Sequence, residues 1–241
     1  MPSLLRLLLL LAFCLFFLSI HAQVLLRQHP LSTPPRLHTG LEETNIPPLS
    51  LYTEAQTWYY YAIPASLVLG GGALLNRLDW FVLNKEVRER WRYREYRARY
   101  VDDVLQFLPM TCAISWDITH LIQTNNWHPL AENATSIALM VGLVHGIKAL
   151  EIELRPDNST WNSFPSGHTA TAFVGAELLR QRLGREYWYI SVLGYAAATG
   201  TAYLRIYHNR HWLGDTLAGA GICILSAWLG KTLTQQITKR R

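Results

Sequence analysis

The chain has 241 residues, of which 50% are hydrophobic and only 16% charged, with a formal net charge of +5 and a mean hydropathy of +0.06. Soluble domains average about a quarter charged residues, so a disordered tail protein, an acidic solvating chain and a highly charged coiled coil are excluded. The length suits one domain, and the modest charge beside 9 Trp and 12 Tyr points to interfacial anchoring rather than nucleic-acid binding.

Residues 1–23 open with a single basic residue, Arg6, continue as an apolar run and close with small residues around Ala22. That describes a secretory signal peptide; an uncleaved first membrane helix is the alternative. Cys14, Cys112 and Cys223 lie in apolar stretches without paired spacing, so neither a disulfide framework nor a metal cluster is indicated. Residues 24–56 form an exported arm, irregular because Pro30, Pro34, Pro35, Pro47 and Pro48 block helix interiors.

From Trp58 onward apolar stretches of helical character alternate with short polar connections, over 57–75, 103–122, 134–150, 168–182, 187–204 and 213–232. Most approach the roughly 20 residues needed to span a bilayer, although several hold internal polar groups such as Asp117 and Glu177. The expected fold is all-α, a bundle of about six apolar helices embedded in a membrane, occupying 57–233 and followed by a basic tail, 234–241. Small residues from Ala196 to Gly200 and from Gly214 to Gly221 permit close helix packing. Gly70, Gly71 and Gly72 are read as a packing point, since no Lys-Ser/Thr follows to make a phosphate loop. Residues 76–102 interleave both signs of charge with Trp80, Phe81, Trp91, Tyr93, Tyr96 and Tyr100. They suit an amphipathic helix on a headgroup surface, or a solvated helix with i,i+4 charge pairs.

Three clusters carry chemistry. Lys148 precedes Arg155 and Pro156 by nearly two helical turns, which puts both cations on one face at a helix end; alone, such residues also serve as snorkelling anchors. Pro165, Ser166, Gly167 and His168 open a helix, where unpaired N–H groups attract an anion and His168 reaches the same place. Arg205 is followed by His211 and, four residues on, by Asp215, a spacing that lets the carboxylate take one imidazole nitrogen and free the other as a nucleophile. A lone His-x-x-x-Asp also describes a surface helix pair, or part of a zinc site without the Cys or acidic ligands to complete it. Together the clusters supply three cations, a helix N-terminus and two histidines, which is the equipment for transferring a phosphoryl group to histidine.

Their order and spacing resemble the type 2 phosphatidic acid phosphatase superfamily, which includes vanadium haloperoxidases and bacterial class A acid phosphatases. Its pattern, K-x(6)-R-P, P-S-G-H and S-R-x(5)-H-x(3)-D, is met from Lys148 to Asp215 except that Leu204 stands where the family has Ser. The resemblance implies a vanadium haloperoxidase-like core with His211 as nucleophile, Asp215 as its orienting partner and His168 as the acid for the leaving group. Lys148, Arg155 and Arg205 would bind phosphate with help from Ser166 and Gly167, and neither a metal nor another cofactor is implied. Loss of the Ser hydroxyl at Leu204 is expected to alter affinity or preference rather than abolish activity.

The context around Pro165 is similar to that of Gram-negative envelope lipid phosphatases, so the expected partner is a phosphorylated lipid, lipid A first. An undecaprenyl pyrophosphate phosphatase and a soluble periplasmic acid phosphatase are the alternatives. Arg180, Arg182, Arg185, Lys231, Lys239, Arg240 and Arg241 place one end of the bundle in the cytoplasm by the positive-inside bias, leaving the catalytic end periplasmic. With a cleaved signal this requires that one of 57–75 and 103–122 fail to cross, and the charged 76–102 favours partial insertion of 103–122.

Overall fold

The computed structural model of the chain describes residues 100–150, 152–183 and 187–239, with isolated positions 65, 66, 69, 70 and 72. The expected signal, the Pro-rich arm and most of 57–75 and 76–102 lie outside the described residues. Among the described residues the fold is all-helical: α1 (Val101–Leu105), α2 (Leu108–Thr124), α3 (His128–Leu150), α4 (Gly167–Leu183), α5 (Trp188–Tyr207) and α6 (Leu213–Lys239).

Several boundaries depart from the expectation for reasons the chain itself supplies. The stretch expected as one segment over 103–122 is two helices, because Pro109 begins a new one at the start of α2. Asn125 ends α2 in the left-handed region at φ 52°, a cap conformation that Asn tolerates. Helix α3 starts at His128, six residues ahead of the expected 134. Its first turns hold Glu132 and Asn133, polar residues that resemble a connection until their buried partners are known. The expected tail also begins too early: α6 runs to Lys239, with Thr234 Oγ1 donating to Thr135 Oγ1 at 3.2 Å and Gln235 Nε2 donating to Glu132 Oε1 at 3.2 Å.

Helix α4 lies at the centre and packs against α2, α3, α5 and α6, while α3 and α6 pair along their length. Ala170, Ala172, Val174, Ala176, Leu178 and Leu179 are buried, so α4 shows almost no face to the surroundings. Close approach is built in with glycine. A Cβ on Gly219 would fall 2.6 Å from the Ser166 carbonyl oxygen, and one on Gly72 would fall 2.8 Å from that of Gly214. The latter contact supports the packing role at Gly72, whereas a Cβ on Gly70 would meet nothing within 4 Å.

The outer helices are inverted relative to helices that meet water. On α5 the buried positions are Ile190, Ser191, Gly194, Ala198, Thr201 and Arg205, whereas Trp188, Tyr189, Val192, Leu193 and Tyr203 are exposed. On α3 the buried set includes Glu132, Asn133 and Ser136, with Val141 and Leu150 exposed. Apolar side chains outside and polar ones inside reverse the usual amphipathic pattern. Among the described residues two helices, α3 and the Leu213–Thr238 portion of α6, are long and apolar enough to cross a bilayer.

The polar interior is concentrated in two places. Where α4 ends, Arg182 pairs with Asp117 of α2 at 2.9 Å and Glu132 of α3 at 2.8 Å. It also donates to the Pro129 carbonyl at 2.7 Å and to Asn133 Oδ1 at 3.1 Å. One turn earlier, Glu177 binds Arg180, Gln181 and the Tyr195 hydroxyl. Arg180 and Arg182 are therefore engaged with carboxylates inside the bundle and weigh less in the positive-inside argument than their sequence positions suggest. The second polar region lies at the other end of α4.

Candidate active site

Four helix ends meet there: the C-termini of α3 and α5 and the N-termini of α4 and α6. Asp215 is the fulcrum. It occupies the first turn of α6, and its Oδ2 accepts the backbone N–H of Trp212 at 2.8 Å, the reach-back bond that satisfies a helix N-terminus. The same oxygen accepts the Ser163 hydroxyl at 2.5 Å and lies 3.3 Å from His211 Nδ1. His211 precedes α6 rather than riding on it, so the four-residue spacing works through a helix cap and not through one helix face.

His211 is buried, with 2% of its side chain exposed. Burial, reinforced by the Arg205 and Arg155 charges and opposed by Asp215, lowers its pKa from 6.5 to about 4. It is therefore neutral at physiological pH. With Nδ1–H held on Asp215, the lone pair resides on Nε2, the arrangement a nucleophilic imidazole needs.

The helix-opening tetrapeptide is tied to the same point. Ser166 N–H donates to the Asp215 carbonyl at 3.0 Å, and Ser166 Oγ accepts the Thr169 hydroxyl at 3.0 Å and its N–H at 3.4 Å, in the manner of an N-cap. Gly167 begins α4 and His168 follows in its first turn. The N–H groups of that turn have no intrahelical acceptor and carry the positive end of the helix dipole.

The cations arrive from three elements. Lys148 lies in the last turn of α3 and its Nζ donates to the Asn162 carbonyl at 2.6 Å and to the Ser163 carbonyl at 3.4 Å. Arg155 lies beyond the end of α3, in the 152–166 connection, so the two cations do not share a helix face as their spacing suggested. Their meeting is made by the loop: Arg155 Nε donates to Asn162 Oδ1 at 3.1 Å, beside the carbonyl that holds Lys148. Arg205 is buried near the end of α5, and Arg155, Arg205 and Asp215 are all near enough to act electrostatically on Lys148. Leu204, the departure from the family pattern, is helical and its carbonyl accepts the His208 N–H at 2.8 Å.

Arg155, His168 and Arg205 line a cleft of about 420 Å³ together with Tyr100, Asp103, His208 and Arg210. Lys148, Ser166, Gly167 and His211 are not among the lining residues, so the nucleophile candidate sits behind the cationic wall. Two loops brace that wall. Arg210 donates to Asp157 at 3.1 Å, Asp157 N–H donates to the Asn209 carbonyl at 3.1 Å, and Trp212 Nε1 donates to the Leu154 carbonyl at 2.9 Å.

Several participants escape a reading of the sequence. Ser163 has no motif of its own. Asp102 closes the charged stretch and Asp103 opens the apolar segment after it without a motif, yet Asp102 Oδ2 accepts Arg205 at 2.8 Å and Asp103 Oδ1 lies 2.9 Å from His168 Nε2. Only the turn between α1 and α2, marked by Pro109, hints that this pair is set apart from the helix that follows.

Residues 123–239 match the pattern of the PAP2 superfamily. A Lipid A 1-phosphatase of Porphyromonas gingivalis is 40% identical over 140 residues, which is 57% of this chain and 31% of that protein. The chain thus spans about a third of the length of that curated relative. A transmembrane PAP2-type phosphatidylglycerolphosphate phosphatase from Bacillus subtilis has a similar fold, with a TM-score of 0.56 at 19% identity, covering 76% of this chain and 100% of the other. Residues 123–239 are thus similar in sequence pattern to the PAP2 superfamily, and the described helices share the fold of a solved PAP2-type phosphatase.

Proposed function

We propose that the protein is a membrane phosphatase that hydrolyses a phosphate ester on a lipid, with lipid A the favoured substrate, through a phosphohistidine intermediate at the periplasmic face. The observation that carries this reading is the convergence of His211, held by Asp215, with Lys148, Arg155, Arg205 and the His168 end of α4. The cations and the first-turn N–H groups that open with Gly167, braced by Ser166 as the cap, hold the phosphoryl oxygens, where charge develops during transfer. Nε2 of His211 attacks phosphorus, and Asp215 stabilises the positive charge that grows on the ring. His168 protonates the departing oxygen, and water then releases phosphate from His211.

The inverted helix faces of α3 and α5 support a lipid-embedded enzyme, since their exposed apolar side chains suit acyl chains. The name of the P. gingivalis relative supports lipid A as the first substrate to test. Lys231, Lys239, Arg240 and Arg241 support a cytoplasmic position for the C-terminal end of α6, hence a periplasmic active site.

Mass spectrometry of envelope lipids from cells with the protein, without it, and with His211→Ala tests the reading. The expected result is lipid A carrying one more phosphate in the second and third strains. Unchanged lipid A alongside altered undecaprenyl carriers would replace the substrate, and no change in any phospholipid or glycolipid would overturn the function.

A further inference from the structure

The site contains a second Asp–His pair that the family motif does not specify. Helix α1 presents two adjacent carboxylates that diverge. Asp102, with 1% of its side chain exposed, turns inward to Arg205 NH1 at 2.8 Å and His208 Nδ1 at 3.5 Å. Asp103, 40% exposed, lies in the cleft wall with Oδ1 2.9 Å from Nε2 of His168 and 4.0 Å from Arg205. The remaining neighbours across the cleft are Tyr100 before α1, His208 after α5, and Arg155 and Arg210 from the loops.

We propose that Asp103 is the positioning residue that holds His168 as the protonated acid of the reaction; this rests on the phosphatase reading above. A carboxylate on Nε2–H fixes the ring and stabilises the imidazolium, leaving Nδ1–H as the proton to give away. Burial first, and then the Arg205 charge, push the His168 pKa down, and Asp103 is the chief group that opposes them, with Asp102 assisting. The two histidines then have settings suited to their roles: His211 buried and neutral to attack, His168 partly exposed and held by a carboxylate that favours its protonated form.

The proton account closes. As the P–O bond breaks, its electron pair goes to the leaving oxygen, which takes the Nδ1 proton of His168. His168 is left neutral with Nε2–H on Asp103. In the second half, water gives Nδ1 of His168 a proton as its oxygen bonds to phosphorus, and the P–N electron pair returns to Nε2 of His211.

The test compares the full chain in detergent with dodecyl phosphate, whose alkoxide needs a proton to leave, and p-nitrophenyl phosphate, whose phenolate does not. General-acid assistance is worth about 10²–10⁴-fold, and Asp103→Asn is expected to forfeit roughly 10–100-fold on dodecyl phosphate while staying within about threefold on the aryl ester. The alkaline limb of its kcat/KM profile for dodecyl phosphate should move to lower pH, and Asp103→Glu should restore part of the loss. Asp102→Asn, acting through Arg205, should instead raise KM for both substrates alike.

Equal losses of Asp103→Asn on the two substrates, no loss on either, or an unmoved alkaline limb would overturn the proposal while leaving the phosphatase reading standing. Wild-type protein hydrolysing neither ester, or His211→Ala hydrolysing both as well as wild type, would overturn that reading, and this inference with it.

Discussion

The sharpest consequence of the geometry concerns Asp215→Asn. The side chain is fully buried and its Oδ2 takes three donors at once, from His211, Trp212 and Ser163. Asn keeps the size and one carbonyl oxygen, so the cap on α6 can persist, but the charge is lost and an NH₂ group faces one of the former donors. A hydrogen bond to a charged group contributes about 1.5–3 kcal/mol. If that contribution is felt chiefly when His211 becomes positive in the transition state, kcat falls by roughly 10–150-fold. A wrong tautomer of His211, with Nδ1 carrying the lone pair, deepens the loss. The cap and the dipole term at the start of α6 cost the fold only about 1–3 kcal/mol. Phosphate release in detergent, beside a circular-dichroism melt, separates the two effects. A folded Asp215→Asn protein with activity within about threefold of wild type would refute the assigned role.

Other expectations follow from the same contacts. In NMR titration of histidine-labelled protein, His211 should remain neutral down to about pH 4. Its folded pKa lies below the unfolded 6.5, so the stability it contributes is present above 6.5 and is lost as pH falls toward 4; titration near 6.5 would contradict its buried setting. Arg182→Met leaves Asp117 and Glu132 without their shared cation and should destabilise the fold by about 3–5 kcal/mol. Adding Asp117→Leu should return part of that stability in a thermal melt, and an additive double variant would argue against coupling. Leu204→Ser restores the hydroxyl of the family pattern; one added hydrogen bond, about 0.5–1.5 kcal/mol, should tighten inhibition by vanadate roughly 2–12-fold with little change in melting temperature.

The parts of the candidate site could be picked out in the sequence because they are local signals. Lys148 with Arg155, the run from Pro165 to His168, and Arg205 with His211 and Asp215 each fall within a dozen residues, and the structure gathers them at one end of α4. The all-helical class was legible too, since long apolar stretches with small residues and few β-type alternations leave little else. Helix ends at Asn125 and Pro109 carried their own chemistry.

What remained hidden depended on partners far away in the chain. Asp103 meets His168 across 65 residues, Arg205 meets Asp102 across 103, and Ser163 meets Asp215 across 52. Nothing beside Asp103 in sequence distinguishes it from the solvated charges that precede it. For the same reason Glu132 and Asn133 looked like a connection and Arg182 like a cytoplasmic charge, although α2, α3 and α4 bury them against one another. Long apolar stretches of helical character determined the fold class, and three spaced motifs the chemistry to look for. Only the packed bundle decided which charges pair with each other and which remain to meet a phosphate, because a charge's role is set by what desolvates and neutralises it.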